Sequence, residues 1–521
     1  MDRAKRAIGT IGWTSVAGLF LLFLGICPYA GSAEPAAAPA IGRVSGVVAD
    51  RGGTRLGEAQ VKFAAKFRGM QITVISGKNG VFGVDLPAGS YRVITEHRGY
   101  ADHIQDEFVL RAGQKAEMKV ILNLLRDGLA LESQINGSEL LSILPPEDRQ
   151  ALINRCGACH QLGLLGGKRL TPAAWTSLVE RMSHKEPGGR AEAVTWAPWE
   201  PNPWDTIPPV LTKHFSPGAE SHRYEPLPVK NTLDHISKVV IKEYDLPRAE
   251  TNPHDMAADP SGKRVWYGDQ ESGEVVKKGL FGWFDPVTGE SKEYKVPECI
   301  GLTRILPDKS GRVWTGCEKA LAYWDPKTEQ VVSMPLAQYG MRSLWATDSK
   351  GNAYSLLRGR AVGDPDEKSA YVLKYDLQTK EWTKYKIPSE YGHAYEANAD
   401  SKDNIWLTEI GADKLAKLDP KTGQFAEYPV PTKGGAPRRF AIDSKDNVWF
   451  TEFVGNKLGV VDSRTGKVTE YEVPTPYSLP YACGVDSNGI VWFSAMGANR
   501  LVRFDPKTKT FREYPIPSRL S

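Results

Sequence analysis

Six cysteines, eight methionines and nine histidines in 521 residues leave few side chains able to hold a transition metal, so any such chemistry is concentrated in very few places. A formal net charge of +4 is small for this length and excludes a strongly basic, nucleic-acid-binding chain. Past residue 33 no stretch is apolar enough to cross a bilayer, which excludes an integral membrane domain once a leader is removed. Hydrophobic residues at 41% and charged residues at 25% exclude a disordered composition, and the length excludes a single hydrophobic core.

What is present begins with residues 1–33. Arg3, Lys5 and Arg6 precede an apolar run ending in Gly18 to Ile26, with Gly31 and Ala33 before a cut, which reads as an export signal. Kept uncleaved, Ile8 to Ile26 would instead form an anchor, although Pro28 and the small polar residues favour cleavage. Removing the signal leaves five cysteines. Two stand in Cys156-Gly157-Ala158-Cys159-His160, the spacing that covalent attachment of one c-type haem requires. The thiols of Cys156 and Cys159 add to the haem vinyl groups, and His160 is carried under the ring to ligate the iron. An immediate His and the lack of a second ligand pair argue against zinc. Of the other three, Cys299 and Cys317 come close if Leu302 to Leu306 and Arg312 to Cys317 form a hairpin, giving either a disulfide or two buried thiols, and Cys483 reads as a small buried apolar residue.

The second iron ligand is sought among few candidates. Met182 is the one methionine between the haem motif and Met256, and it shares an apolar helical stripe with Trp175, Leu178 and Val179. That spacing equally describes a core residue. His184 would give a bis-histidine site, whereas His214 and His222 read as a helix-terminal and a loop histidine. Three indoles, Trp196, Trp199 and Trp204, lie on a proline-stiffened strap that packs between domains or shields the haem edge.

Three modules follow one another. After an Ala/Pro linker, residues 41–123 alternate apolar and polar positions at strand period between Gly-rich turns, as in a small β-sandwich. Its Gly46-Val47, Gly77-Gly80-Phe82 and Leu86-Pro87-Gly89-Tyr91-Val93 resemble the carboxypeptidase regulatory-like domain, which implies a transthyretin-like fold and no catalysis. Residues 140–216 are helical in pattern: one helix opened by Pro145-Pro146-Glu147-Asp148, a second by Thr171-Pro172, a third near Asp205 to Phe215. Haem motif plus helices resembles a cytochrome c domain, all-α in fold.

From residue 238 to 521 the chain repeats. Trp406, Trp449 and Trp492 recur every 43 residues, as do Tyr385, Tyr428, Tyr471 and Tyr514, the period of a four-stranded propeller blade. Six units begin near His254, Thr303, Ser343, Tyr395, Arg438 and Tyr481, and Lys242 to Pro247 reads as an outer strand ahead of them, so six or seven blades remain open. The Val-Trp-Phe-Thr-Glu and Glu-Tyr-x-x-Pro signatures resemble the streptogramin lyase (virginiamycin B lyase) propellers. That resemblance implies seven blades and inner-strand histidines in the last blades, with a carboxylate and magnesium, that open a cyclic ester by elimination. Here the matching positions are Arg438 and Tyr481, so the base and metal anchor are missing. His254 is the remaining catalytic candidate, with Asp269, Glu409 and Glu452 at second-strand ends as acid partners. The ring of His254, Arg342, Tyr395, Arg438, Arg439 and Tyr481 suits binding of an anionic or polar ligand or a partner.

These readings converge on a multidomain periplasmic protein that carries single electrons on one covalent haem c and uses its propeller as a docking or ligand-binding platform. The expected partner is a redox protein such as a periplasmic dehydrogenase. The competing expectations are a lyase or hydrolase working in the propeller channel and a haem-based ligand sensor.

Overall fold

The computed structural model describes residues 40–66, 69–157, 161–183, 206–219, 233–248, 251–259, 261–269, 279–299, 301–302, 304–308, 310–317, 319–335, 344–357 and 369–518; for 182, 183, 233 and 234 it describes the backbone alone. Residues 1–33 lie outside this set, and no described helix is long and apolar enough to cross a membrane.

The chain is mostly β-sheet. At the N-terminal end two sheets face each other. One has the order Val81–Pro87, Ile41–Asp50, Lys115–Leu124, Tyr100–Ala101, with its central pair parallel. The other runs His103–Leu110, Gly89–Glu96, Gln60–Ala65, Met70–Ile75 and Val240–Tyr244. Alternation at period two sends Val44, Phe82, Leu86, Phe63, Ile72, Val74 and Val93 into the core between them.

Lys242 to Pro247, read from sequence as an outer propeller strand, overlaps the observed strand Val240–Tyr244. That strand pairs antiparallel with Met70–Ile75, Ile72 opposite Lys242, and so extends the sandwich instead. The edge of that sheet offers unpaired backbone groups, and five registered residues satisfy them. Its outer face is buried too: Ile75, Ile236, Val239 and Ile241 pack with Trp492 and Tyr514 of the last propeller sheet. Lys62 Nζ crosses to Pro517 O at 2.5 Å, and Glu243 accepts from the Ser518 backbone N–H at 3.2 Å. On the other side Tyr244 packs on Phe284 of the first propeller sheet, ring centroids 5.4 Å apart. The five-stranded sheet therefore stands beside both the first and the last blade, where a seventh blade would stand.

Among the described residues the C-terminal region holds six four-stranded antiparallel sheets, each in sequential order. Their first strands are Pro253–Ala258, Leu306–Pro307, Ala346–Thr347, Ala394–Ala399, Pro437–Ile442 and Pro480–Val485, which number the blades 1 to 6 here. The recurring Trp is explained by a local hydrogen bond. In blades 2, 4, 5 and 6 its indole donates to an aspartate six residues earlier, as Trp449 does to Asp443 at 3.1 Å and Trp492 to Asp486 at 3.0 Å. The same aspartates accept turn N–H groups, so one side chain fixes both turn and core indole. Cys299 and Cys317 form a disulfide, Cα to Cα 5.7 Å, tying the end of blade 1 to blade 2.

The separate all-α domain expected over 140–216 is corrected by the packing. The described helices between the sandwich and the propeller include Gly128–Glu132, Gly137–Ile143, Pro146–Arg155, Pro172–Ser183 and Ile207–Phe215, the longest of 12 residues. Helices this short gain stability from tertiary packing rather than alone. They share one core with the propeller: Leu140, Leu141, Leu152, Ile153, Trp175, Val179, Leu211 and Phe215 pack in the same cluster as Tyr395, Ile410, Phe453, Leu479, Tyr481 and Met496.

Truncating Ile75 to Ala leaves a cavity between the sandwich and blade 6 and is expected to lower stability by about 2–4 kcal/mol. Urea unfolding followed by Trp fluorescence reads this; an unchanged midpoint would show the face to be unpacked.

Candidate functional site

The helix Pro146–Arg155 starts with prolines and two acids at its positive end, Glu147 and Asp148, and terminates at Cys156, whose backbone N–H bonds Leu152 O as the C-cap. Cys156 is half-buried and packs against the shared core. Cys159 and His160 lie outside the described residues, as do His184, His222, Arg342 and the three indoles Trp196, Trp199 and Trp204. Met182 lies by its backbone in Pro172–Ser183, one turn beyond the buried Val179, and its side chain is not described. Within the same helix Trp175 is fully buried and donates to Phe215 O at 3.0 Å, which fixes Pro172–Ser183 against Ile207–Phe215. His214 is no spare ligand. Its Nε2 lies 2.8 Å from Asp148 Oδ2, and Lys213 Nζ lies 2.7 Å from the same oxygen, clamping Ile207–Phe215 to the helix that presents Cys156. Burial acts to raise Asp148, but His214 and Lys213 hold its carboxyl below the usual range.

The face on which this segment sits is built by the repeat. Ile410, Phe453 and Met496, each just past the end of a second strand, recur at the 43-residue period and form an apolar collar. Sequence reading missed them; the signal was a hydrophobe directly after the second strand, following Thr-Glu at Ile410 and Phe453 and Ser-Ala at Met496. Above the collar the Ser138 N–H donates to Gly497 O at 2.7 Å, and Arg149 lies over the Tyr477 ring at 4.4 Å while bonding its hydroxyl. A Cβ on Gly137 would stand 3.0 Å from Gly497 O, so glycine permits this approach.

Beneath the collar lie Tyr395, Arg438 and Tyr481. The two hydroxyls are 2.7 Å apart, and the Arg438 guanidinium stands 4.1 Å from the Tyr481 ring centroid, 4.5 Å from Phe453 and 5.0 Å from Tyr395. One residue further along the inner strands is a charged layer. Asp255 accepts from Arg439 at 2.7 Å and from Arg304 at 2.9 Å, Arg304 also meets Glu396 at 2.9 Å, and His254 Nδ1 is 3.3 Å from Asp255. Burial would raise Asp255, yet Arg439 and Arg304 hold it well below the usual carboxylate range. Three inner strands from blades 1, 4 and 5, with Arg304 at the start of blade 2, are thereby joined across the channel.

Of the acids proposed as partners of His254, one is ion-paired elsewhere and two are buried without a hydrogen-bond partner. Asp269 is fully buried, accepting from Arg248 and from the Asn252 N–H at 3.1 Å. Glu409 and Glu452 are fully buried, and neither carboxyl has a hydrogen-bond partner. Burial pushes Glu409 up to about 7, and burial with the nearby Glu470 charge pushes Glu452 up to about 8. The acid beside His254 is Asp255, itself bound to two arginines, an arrangement that anchors the ring rather than frees a base. Among the described residues no cluster of three His, Cys, Asp or Glu could hold a metal ion.

The carboxypeptidase regulatory-like family model matches residues 43–123, and the virginiamycin B lyase family model matches residues 374–521. Of solved structures, a streptogramin B lyase is 22% identical, covering 53% of this chain and 86% of its own with a TM-score of 0.45. Virginiamycin B lyase from Staphylococcus aureus is 20% identical, covering 53% and 87% with a TM-score of 0.43. Kuenenia stuttgartiensis hydrazine synthase is 13% identical, covering 51% and 84% with a TM-score of 0.37. No curated protein sequence matches.

Two variants test the buried charged groups. Asp255→Asn leaves Arg304 and Arg439 short of a counter-charge and is expected to cost about 3–5 kcal/mol in urea unfolding at neutral pH; a loss below ~1 kcal/mol would contradict the network. A folded-state value above the ordinary 4.5 means that Glu452 stabilises fully below that pH and that this contribution is lost as pH rises toward about 8. Glu452→Gln should therefore match wild type near pH 5 and exceed it by roughly 2–4 kcal/mol near pH 9. Parallel pH profiles for the two proteins would count against a neutral buried acid.

Proposed function

We propose that the chain is an exported, periplasmic c-type cytochrome that carries single electrons, its propeller face serving as the platform that holds the haem-bearing segment. Cys156 and Cys159 would form the thioethers, His160 would ligate the iron, and Met182 is the proposed ligand opposite. A haem held there supplies one-electron chemistry. The chain's own residues supply placement and exclusion of water. The Asp148–His214 clamp orients the helix ending at Cys156, and Leu152, Ile153, Leu162, Trp175 and Val179 provide the apolar surroundings a porphyrin needs.

The observation that carries this reading is Cys156 at the open end of a docked helix, beside an apolar core, with the motif's second cysteine and histidine following directly. The Cys299–Cys317 disulfide supports the same compartment, since an oxidising one is where structural disulfides persist. Elimination in the propeller is disfavoured on two grounds. Arg438 and Tyr481 stand where similar lyases have histidine, and they are 2% and 5% exposed beneath the collar. The electron partner is proposed to be a redox protein, a periplasmic dehydrogenase fitting the compartment.

Expression with export and haem maturation, followed by a pyridine haemochrome assay, should give one covalent haem per chain. Cys156→Ala/Cys159→Ala should give none, and Met182→Ala should lose the sulfur-to-iron charge-transfer band while keeping the haem. Wild-type protein without covalent haem would overturn the proposal.

A further inference from the structure

The propeller channel contains a cavity of about 280 Å³ at the charged layer, at the small end of the range for ligand sites. The charged side chains that line it are Asp255, Glu396, Arg304 and Arg439, two of each sign. They are paired with one another, Asp255 with both arginines and Glu396 with Arg304. The wall is therefore polar without a net charge, and a ligand ion of either sign would enter without a counter-charge. His254, beside Asp255, does not line the cavity. Asn398 completes the polar part, while Met256, Leu306, Ile442 and Val485 make much of the rest apolar. The starts of the inner strands lie under the helices, whereas Asn398, Ile442 and Val485 at their other ends are partly exposed. The cavity thus opens on the face away from Cys156.

Hydrogen bonding in this wall is lopsided. Every carboxylate oxygen already holds a donor. Asp255 Oδ1 accepts from Arg439 at 2.7 Å and Oδ2 from Arg304 at 2.9 Å; Glu396 Oε1 accepts from Arg304 at 2.9 Å and Oε2 from the Phe440 N–H at 3.0 Å. The arginines make these contacts through Nη1, and the Nε–H of each is buried without a hydrogen-bond partner. The Arg439 side chain is 7% exposed, so its unmet donor cannot turn to bulk water. Asn398 uses its carbonyl oxygen on the Ala399 N–H at 3.0 Å, which leaves an amide NH2 to offer. Donors are thus in surplus while the side-chain acceptors are occupied, and an unmet buried donor on a charged group is costly.

The geometry points to the channel as a binding site for a small neutral carbonyl compound, a ketone or tertiary amide, its oxygen toward Arg304, Arg439 and Asn398 and its apolar body toward Ile442 and Val485. Such a ligand supplies the acceptor that the wall lacks and brings neither a charge nor a donor of its own. This site is separate from the haem proposal and is occupied from the opposite face. It also differs in chemistry from the elimination of a cyclic ester: nothing is cleaved, and the carbonyl is held by hydrogen bonds and fit.

Calorimetric titration of the full chain with cyclohexanone and N-methylcaprolactam tests it, with cyclohexylammonium and cyclohexanecarboxylate as the charged arms. The neutral carbonyls should bind saturably at one per chain, and both ions at least about tenfold more weakly because either sign unbalances the layer. Arg439→Lys keeps a cation against Asp255 but lacks the Nε–H, and should weaken the carbonyls by about tenfold. Val485→Trp fills the mouth without touching an ion pair and should abolish binding while the far-ultraviolet circular dichroism stays that of wild type. The proposal is overturned by absence of saturable heat with either carbonyl, which would leave these donors to water alone. It is equally overturned by either ion binding as tightly as the carbonyls, or by Arg439→Lys or Val485→Trp binding normally. Because the assay reads binding alone, it gives its answer whether or not haem is attached.

Discussion

The short helices between the sandwich and the propeller are too brief to enclose a core, and the faces of blades 4 to 6 are too apolar to stand in water. Each resolves the other's problem. Burial of Leu140, Leu141, Leu152 and Trp175 in the same cluster as Tyr395, Phe453, Tyr481 and Met496 makes a single core of two segments that the linear sequence separates by more than two hundred residues. From that contact follow the position of Cys156, the closure of one mouth of the channel and the burial of Arg438 and Tyr481. Beneath it Arg438 is held among three aromatic rings.

A ring of blades must close on itself or expose two edges. Here six four-stranded sheets are described, and the N-terminal five-stranded sheet, completed by Val240–Tyr244, touches blade 6 through Ile75 and Ile241 and blade 1 through Tyr244. The N-terminal sandwich is thereby used as a structural wedge. Inside the ring Asp255 gathers Arg439 from blade 5 and Arg304 from blade 2, so the axis of the propeller is held by charges that compensate one another in a low-dielectric setting. The sandwich at the rim, the ion pairs at the axis and the helices on the face constrain the same six sheets from three directions.

Much of the fold was legible because it rests on local rules. Strand alternation marks the sandwich, the 43-residue period marks the blades, and the Pro and acid residues of Pro146–Arg155 and Pro172–Ser183 mark helix starts. The Cys156 to His160 run carries an expectation of haem chemistry in five consecutive residues, of which the structure describes Cys156 and Gly157. What was illegible depends on contacts between distant segments. Val240–Tyr244 has the pattern of an outer blade strand, and only its pairing with Met70–Ile75 assigns it to the sandwich. The Asp255, Arg304, Glu396 and Arg439 layer joins residues from four blades, and no spacing announces it. Gly128–Glu132 and Gly137–Ile143 escaped notice because they are short, although the Asn136–Glu139 capping box of the second was readable.

The shared core requires that the helix ending at Cys156 and its neighbours form one cooperative body with the propeller face. Native-state amide hydrogen exchange read by mass spectrometry on the full chain measures this directly. Peptides covering Gly137–Ile143 and Pro146–Arg155 should show protection equal to that of the second strands of blades 5 and 6, with both sets opening together as denaturant is raised. Rapid exchange in those helices beside fully protected blade strands would contradict the shared core, and with it the docking of the helix that ends at Cys156.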